Sequence, residues 1–564
     1  MKSKMPVVVF VILLIVVLSV RVPFFNASAN AAPRDYCDGF QNPPVPSLTQ
    51  EPFALHIYPG MLYPLPGLIV DLDNDGDVDV PSLETRKDWN SFRPDSVVDG
   101  LVDSQVSGGP GFLYFHGMAA MDLDNDGLKD LIVAPYYAVG TPIMFFRNLG
   151  NWRFESSHQD FLRNLLGFNS SSAWYSETII IADLTGDGLN DIYIPLYTYT
   201  EPFQSVFLRN TGTGFVEEAI VRGIGLPNIP IDFRPEGAQA VDIDDDGDLD
   251  FYVAHHLFMN DGNGYFTDAR EAYGLPILFD EGIAFIDYDN DGLLDLHIRT
   301  PFIDQQLFRN TGNGFVNVSV SSGLACLTQN HPFYWGGNLA DFDLDGDIDF
   351  LPVAAQFEGT TIPSRRTRAP RVIDSWYYLL LNQGDGTFRL GFSKDRFFQF
   401  SATADFDLDG NLDIYSIDVT GAANVFENLF GVPQNTFALA VVPVDNQRRM
   451  NQEGTTVRVK HLCSSPPRVQ TRVIGINNVY LAQGDYTAHF GVAGNCSYEI
   501  EVAFIKRGAE PRQVVTIPYK PQTEGSLKIF VSRTGATKEP YPGFRNFLIL
   551  PTIMQNSALQ RPSR

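Results

Sequence analysis

A nine-residue pattern, Asp-x-Asp-x-Asp-Gly-x-x-Asp, recurs seven times along the 564-residue chain, once in variant form, and constrains its fold more than any other feature. The copies are Asp71-Leu-Asp73-Asn-Asp75-Gly-Asp77-Val-Asp79, Asp122-Leu-Asp124-Asn-Asp126-Gly-Leu128-Lys-Asp130, the variant Asp183-Leu-Thr185-Gly-Asp187-Gly-Leu189-Asn-Asp191, Asp242-Ile-Asp244-Asp-Asp246-Gly-Asp248-Leu-Asp250, Asp287-Tyr-Asp289-Asn-Asp291-Gly-Leu293-Leu-Asp295, Asp341-Phe-Asp343-Leu-Asp345-Gly-Asp347-Ile-Asp349 and Asp405-Phe-Asp407-Leu-Asp409-Gly-Asn411-Leu-Asp413. Their first residues cover 334 positions, a mean interval near 56. That is one propeller blade, somewhat longer than the roughly 40 to 50 residues of other blade families.

Each copy leads into an apolar, β-branched stretch such as Asp130-Leu-Ile-Val, Asp191-Ile-Tyr-Ile or Asp250-Phe-Tyr-Val, which reads as a strand. Downstream comes an Asn-x-Gly-x-Gly turn between apolar residues. It is clearest in Phe207-Leu-Arg-Asn-Thr-Gly-Thr-Gly-Phe-Val and Leu307-Phe-Arg-Asn-Thr-Gly-Asn-Gly-Phe-Val, and it reads as a hairpin. Loop, strand, hairpin and a return strand together predict a four-stranded blade. The expected fold is all-β: a seven-bladed β-propeller over 32–432, a small β-rich domain over 433–535 and a tail over 536–564.

The loop is built to bind a cation. Carboxylates at alternate positions converge when the chain curls, and glycine at position six permits the sharp turn. Position seven (Asp77, Leu128, Leu189, Asp248, Leu293, Asp347, Asn411) would offer its backbone carbonyl, and the aspartate at position nine would close the shell. The layout matches the first half of an EF-hand loop, but a strand follows and position twelve holds no Glu. All-oxygen ligands and flexible geometry favour Ca²⁺ over Mg²⁺, up to seven ions in all. The third loop has Thr185 in place of an acid and should be the weakest. The fourth, with six acids, should suffer most without metal.

Charge distribution agrees. The formal net charge is −27, yet the loops hold 31 acids and one base, Lys129, so the remaining 501 residues carry 36 acids and 39 bases. The acidity is therefore local, which separates this chain from a diffusely acidic disordered segment and from a basic nucleic-acid binder. Lys2 and Lys4, the apolar run Pro6–Val20 and the small residues up to Ala32 follow the plan of a secretory signal over 1–31, cleaved after Ala29 or Ala31. Fifteen mostly apolar residues stopped by Arg21 are short for an anchor, and Phe547–Met554 is shorter still, so no stable membrane span is expected. The four cysteines, Cys37, Cys326, Cys463 and Cys496, suit disulfides in an oxidising compartment. Three pairings are open, the most local being Cys463–Cys496 with Cys37–Cys326. Asn169, Asn317 and Asn495 begin glycosylation sequons.

The loop and its Asn-x-Gly-x-Gly-Phe hairpin, over residues 71–430, resemble the FG-GAP or VCBS repeat of integrin α-subunit propellers. Downstream, Gly454-Thr-Thr-Val457-Arg-Val459, Gln470-Thr-Arg472, Tyr480-Leu-Ala-Gln483 and His489-Phe-Gly-Val492 resemble the short β-domain called ASPIC/UnbV. A propeller followed by that domain is the layout of the cartilage acidic protein family. The resemblance implies a secreted, calcium-binding extracellular-matrix or cell-surface adhesion protein. It departs from the vertebrate members in lacking the six cysteines of an EGF-like module. It also implies an alternative, since UnbV relatives in bacteria sit in biosynthetic pathways: a secreted propeller enzyme or accessory protein.

No G-x-S-x-G, H-E-x-x-H, Walker or dinucleotide fingerprint occurs, and no catalytic residue is assigned. His255-His256 reads as two strand residues facing opposite ways, one in the core and one at the surface. His489 reads as structural. The partner is expected to be an extracellular protein or glycan, and the insertion Phe357–Ser375, with Arg365, Arg366, Arg368 and Arg371, is a candidate for a sulfated glycan. A purely structural or calcium-buffering role is a third reading. If the loops hold calcium, EDTA lowers the melting temperature and added calcium restores it; a melting curve indifferent to both would overturn the reading.

Overall fold

A computed structural model describes residue 37 and, with gaps, residues 52–541. Outside the described residues lie 63–67, 75–82, 85–100, 103–113, 137–143, 151–153, 158–175, 197–203, 227–234, 301–304, 329–332, 358–371, 396–399, 418–421, 476–485 and positions 73, 125, 279, 281 and 509. The expected leader, Asp73, Asp75, Asp77, Asp79, Asn169, the four insertion arginines, the Tyr480–Gln483 motif and residues 542–564 therefore carry no structural account.

The apolar stretch after each of the second to seventh loops becomes a strand buried on both sides. Asp191–Leu196 and Asp250–Val253 have no exposed residue. Each joins a four-stranded antiparallel sheet, and among the described residues six such sheets enclose the second to seventh loops. In the second, Tyr114–Met121, Asp130–Tyr136, Met144–Asn148 and Phe154–Ser157 lie side by side in chain order. The fourth strand does not return after the hairpin; it precedes the loop, so the loop joins the first and second strands of one sheet. The fifth sheet shows the same phase, Ile283–Ile286 leading into Asp287 and Asp295–Ile298 leaving it.

Successive sheets stack face to face. Ile132 of the second packs with Ile181 and Ile192 of the third, Tyr193 and Phe207 of the third with Phe251 of the fourth, and Tyr252 of the fourth with Phe285 and Leu296 of the fifth. The series continues through Phe350 and Leu380 of the sixth to Ile414 and Phe426 of the seventh. Such two-sided burial explains the continuous apolar runs. The seventh sheet takes its outer strand from the start of the chain, Phe53–Leu62 pairing antiparallel with Ala422–Asn428. The residues flanking the first loop lie mostly outside the described residues, and the expected count of seven blades rests on them.

The asparagines of the hairpin turns close each sheet and, in five of the six, tie it to the one before. The N–H groups of Asn148, Asn210, Asn260, Asn310, Asn382 and Asn428 donate to the position-nine aspartates at 2.7–2.9 Å. Their Nδ2 atoms donate to the position-eight carbonyl of the same loop. In five of the six, Nδ2 also reaches the position-two carbonyl of the preceding loop: Leu72, Leu123, Leu184, Tyr288 and Phe342.

Residues 436–540 form two further four-stranded sheets. One orders Ala488–Ala493, Thr436–Pro443, Leu527–Ser532 and Gly535–Pro540; the other orders Val469–Val473, Thr456–His461, Tyr498–Ala503 and Val514–Tyr519. Leu439, Val441, Phe490 and Ile529 of the first meet Val457, Val459, Ile500 and Val502 of the second in one core, so the two sheets make a sandwich. The strand Gly535–Pro540 runs into the stretch read from sequence as a tail, because it completes an edge of the sandwich. Cys463 is bridged to Cys496, and Cys37 and Cys326 are also disulfide-bonded.

An unsatisfied buried acceptor costs about 1–3 kcal/mol. Asn382 is buried and serves the Ile348 and Tyr288 carbonyls at 3.1 and 2.7 Å. Asn382→Ala is therefore expected to lower stability by about 3 kcal/mol, read as a lower midpoint in urea. An unchanged midpoint would remove the asparagine from the ties between sheets.

Candidate metal centres

The third to seventh loops each turn twice through the left-handed region. Position four adopts φ of 55–63° at Asn74, Asp245, Asn290, Leu344 and Leu408, and the position-six glycines from Gly127 to Gly410 adopt 91–99°. The second turn is far less accessible to a side chain than the first, which is why only position six is always glycine.

These turns aim the carboxylates. At position one, Oδ2 accepts the position-six N–H at Asp122, Asp183, Asp242, Asp341 and Asp405, at 2.7–3.1 Å. The other oxygen, Oδ1, is buried without a hydrogen-bond partner at Asp122, Asp183, Asp242, Asp287 and Asp341. At position five, Oδ1 of Asp126, Asp187, Asp246, Asp291, Asp345 and Asp409 accepts the position-seven N–H at 2.8–3.1 Å.

The structure brings three carboxylates together within 4.8 Å in five loops. In the second, sixth and seventh these are positions one, three and nine: Asp122, Asp124, Asp130; Asp341, Asp343, Asp349; Asp405, Asp407, Asp413. In the fourth and fifth they are positions one, three and five: Asp242, Asp244, Asp246; Asp287, Asp289, Asp291. Asp250 and Asp295 fall outside these sets. Position nine has a second task that the sequence reading did not anticipate, since both its oxygens accept backbone N–H groups. Asp130, for example, accepts from Asn148 through Oδ1 at 2.8 Å and from Leu123 through Oδ2 at 3.0 Å.

The third loop forms no triad among the described residues. Thr185 gives both its N–H and its hydroxyl to Asp191 Oδ2 at 3.0 Å, replacing a ligand with an internal donor. At position seven, the Asp347 side chain meets Arg468 and Asn290. Asp248 lies 4.0 Å from Lys506, and Asn411 donates to Asp409 Oδ2 at 2.8 Å. Leu128, Leu189 and Leu293 have no polar side-chain atom to contribute.

An oxygen-only donor set with an inward, unpartnered buried carboxylate oxygen fits a hard cation. The electrostatics fit as well. Burial, reinforced by neighbouring carboxylates, pushes Asp130, Asp183, Asp191 and Asp407 up to about 7 and Asp250 to about 8. Asp287, Asp295, Asp341, Asp349 and Asp413 are held well above the usual range by the same cause. Positions one and three, joined by nine in the second, sixth and seventh loops and by five in the fourth and fifth, would hold the ion, and its charge would keep them ionised together.

A missed feature is the chain's own basic groups. Arg449 donates to the Asp126 carbonyl at 3.2 Å. Arg512 pairs with Asp242 at 2.8 Å and with Asp245, and Arg458 reaches Asp245 at 2.9 Å. All belong to the C-terminal sandwich, which lies against the loops.

The histidine pair also departs from expectation. Ala254 and His255 both adopt positive φ, 47° and 63°, and form a tight turn, so His255 and His256 are not alternating strand residues. Their rings sit 4.6 Å apart, and His256 Nδ1 pairs with Asp268 Oδ2 at 2.7 Å. Burial pushes His255 down to about 4.

The FG-GAP-like repeat model matches residues 122–194 and 242–298, which hold the second to fifth loops without the linker between the two stretches. The chain carries FG-GAP repeats. Over 291 residues it is 23% identical to cartilage acidic protein 1 of Xenopus tropicalis, covering 45% of this chain and 42% of that protein. The match thus spans less than half of that relative's length. Among solved structures it is similar to BBS1N in complex with ARL6DN (10% identity, TM-score 0.37, 67% of this chain and 98% of that one). It is also similar to rhamnogalacturonan lyase PL11 of Bacillus licheniformis (10% identity, TM-score 0.36, 67% and 76%). Each matched stretch begins at a position-one aspartate, Asp122 or Asp242, and holds two acidic loops.

A carboxyl group whose folded value is raised loses stability as pH climbs from its unfolded value, near 3.9, through its folded one. With Asp130, Asp183 and Asp191 at about 7, the chelated protein should lose thermal stability between about pH 4 and pH 8. Calorimetry in EDTA across this range checks it, and a melting temperature that rises toward pH 8 contradicts it.

Proposed function

We propose that this is a secreted, calcium-binding protein of the adhesion or matrix-interaction type, in which up to seven Ca²⁺ ions staple the FG-GAP repeats. The observation that carries the metal reading is the buried, unpartnered Oδ1 of the first aspartate, repeated at Asp122, Asp183, Asp242, Asp287 and Asp341. An apolar or self-paired turn would not leave the same oxygen bare in five loops. Extracellular sites of this kind bind calcium at about 10⁻⁴–10⁻³ M, which suits secretion.

Secretion is further supported by disulfide bonding at all four cysteines. The sequon residues Asn317 and Asn495 are exposed, as glycosylation would need. Likeness to cartilage acidic protein 1 supports a matrix setting. Among the described residues no helix is long and apolar enough to cross a membrane.

The partner is read as an extracellular protein or glycan. A partner carboxylate completing a metal shell is disfavoured, because C-terminal residues such as Arg449, Val469 and Ala438 already lie over the position-six glycines. Recognition is assigned instead to surfaces away from the loop face. Capture of a partner by the full-length protein from extracellular material, greater with calcium than with EDTA, is the expected result. Equal capture in both would separate binding from the metal, and no capture with calcium would sink the adhesion reading.

A further inference from the structure

The C-terminal sandwich touches the acidic loops in a way that repeats. In four loops it supplies a donor to the outer oxygen of the position-one aspartate. Arg512 Nη2 meets Asp242 Oδ2 at 2.8 Å. The Thr471 N–H meets Asp287 Oδ2 at 2.9 Å. The Gly491 N–H meets Asp341 Oδ2 at 2.9 Å, and the Tyr541 hydroxyl meets Asp405 Oδ2 at 2.7 Å. For Asp242, Asp287 and Asp341 the opposite oxygen, Oδ1, is the buried one without a partner. One carboxylate therefore faces two ways, its outer oxygen fixed by the sandwich and its inner oxygen turned to the loop centre.

The approach is close. A Cβ at Gly247 would lie 2.9 Å from Arg512, at Gly346 2.9 Å from Gln470 Nε2, and at Gly410 2.7 Å from the Ala438 Cβ. On the sandwich side, a Cβ at Gly491 would fall 2.6 Å from Asp341 Oδ2. Thr471 adds a second tie, its hydroxyl donating to the Gly292 carbonyl at 3.1 Å. The donors Thr471 and Gly491 come from Gln470-Thr-Arg472 and His489-Phe-Gly-Val492, motifs that the metal reading leaves without a role.

We propose that Thr471, Gly491, Arg512 and Tyr541 form an outer shell that orients the first aspartates of the fourth to seventh loops toward a bound divalent cation, coupling cation uptake to seating of the C-terminal sandwich. This rests on the reading of the loops as calcium sites. The physical basis is that donors behind a ligating group fix its orientation and basicity, and their loss typically weakens metal binding about 10–100-fold. Coupling is reciprocal: what the sandwich adds to cation affinity, the cation adds to the sandwich's hold on the loops. Without a cation, ionised carboxylates within 4.8 Å repel one another, and the donors lose a fixed target.

The test uses the full-length chain and calcium alone. Chelator-competition titration measures affinity and stoichiometry in the native sequence, Tyr541→Phe and Gly491→Ala. Tyr541→Phe removes one hydroxyl and should weaken one site about tenfold while leaving the others unchanged. Gly491→Ala places a methyl against the Leu344 carbonyl and Asp341 Oδ2, both in the sixth loop, and should weaken that site. Hydrogen exchange of the native protein gives a reading independent of any variant: peptides holding Thr471 and Gly491 should exchange faster in EDTA than in calcium. Calcium binding with native affinity in Tyr541→Phe, together with exchange over 436–541 indifferent to EDTA, overturns the coupling while leaving the calcium reading intact. No uptake at millimolar calcium by the folded native chain overturns both.

Discussion

The fold depends on one recurrent interaction, the position-nine carboxylate accepting the backbone N–H of the hairpin asparagine. It closes each sheet by joining the second strand's first residue to the third strand's last, at 2.7 Å for Asn310 and Asp295. The asparagine's side chain then reaches across to the previous loop. Stacked sheets share apolar faces, which are non-directional and would tolerate sliding. The asparagine bonds add direction and fix the register of one repeat on the next. The loops are therefore framework before they are binding sites.

Burying so many acids requires compensation, and the chain combines several kinds. Backbone N–H groups satisfy position nine and the outer oxygen of position one. Arginines of the C-terminal sandwich offset the fourth loop most heavily, where six acids crowd and Arg512 and Arg458 both arrive. In the third loop a threonine supplies the donor locally. What none of these reaches, at Asp122, Asp183, Asp242, Asp287 and Asp341, is the inner oxygen of position one, and that unmet polarity points to a cation. The loop richest in acids, the fourth, thus also draws two arginines from the sandwich, Arg458 and Arg512.

The repeats and their all-β character were legible because period, turn glycine and apolar strand recur together, so no single ambiguous segment had to decide. The phase of the sheet was not. The first strand, as in Ile180–Ala182, is short and precedes the loop, and the return strand inferred after the hairpin has no counterpart there. The histidine pair was misread because positive φ at Ala254 and His255 has no signature in residues that ordinarily avoid it. The role of the hairpin asparagine was hidden for another reason. Its motif reads as turn chemistry, which it is, but its side chain bonds to a loop 76–94 residues away, as with Asn382 and Tyr288, 94 positions apart. The arginine supply had a faint trace: residues 433–541 hold 13 basic and 8 acidic side chains, opposite in sign to the whole chain.

The strand Phe53–Leu62 belongs to a sheet whose other members end at Asn428, and Phe53 pairs with Asn428 itself. That assigns the seventh sheet a date in synthesis. Its inner three strands can form as they emerge, but their edge remains open unless the first described strand waits unpaired while some 370 residues are made. Bringing such distant segments together is entropically slow, and an exposed strand edge invites the wrong partner meanwhile. The C-terminal sandwich emerges later still and lies across the loops of sheets already made. Assembly thus ends with two long-range closures, one along a strand edge and one across the acidic face.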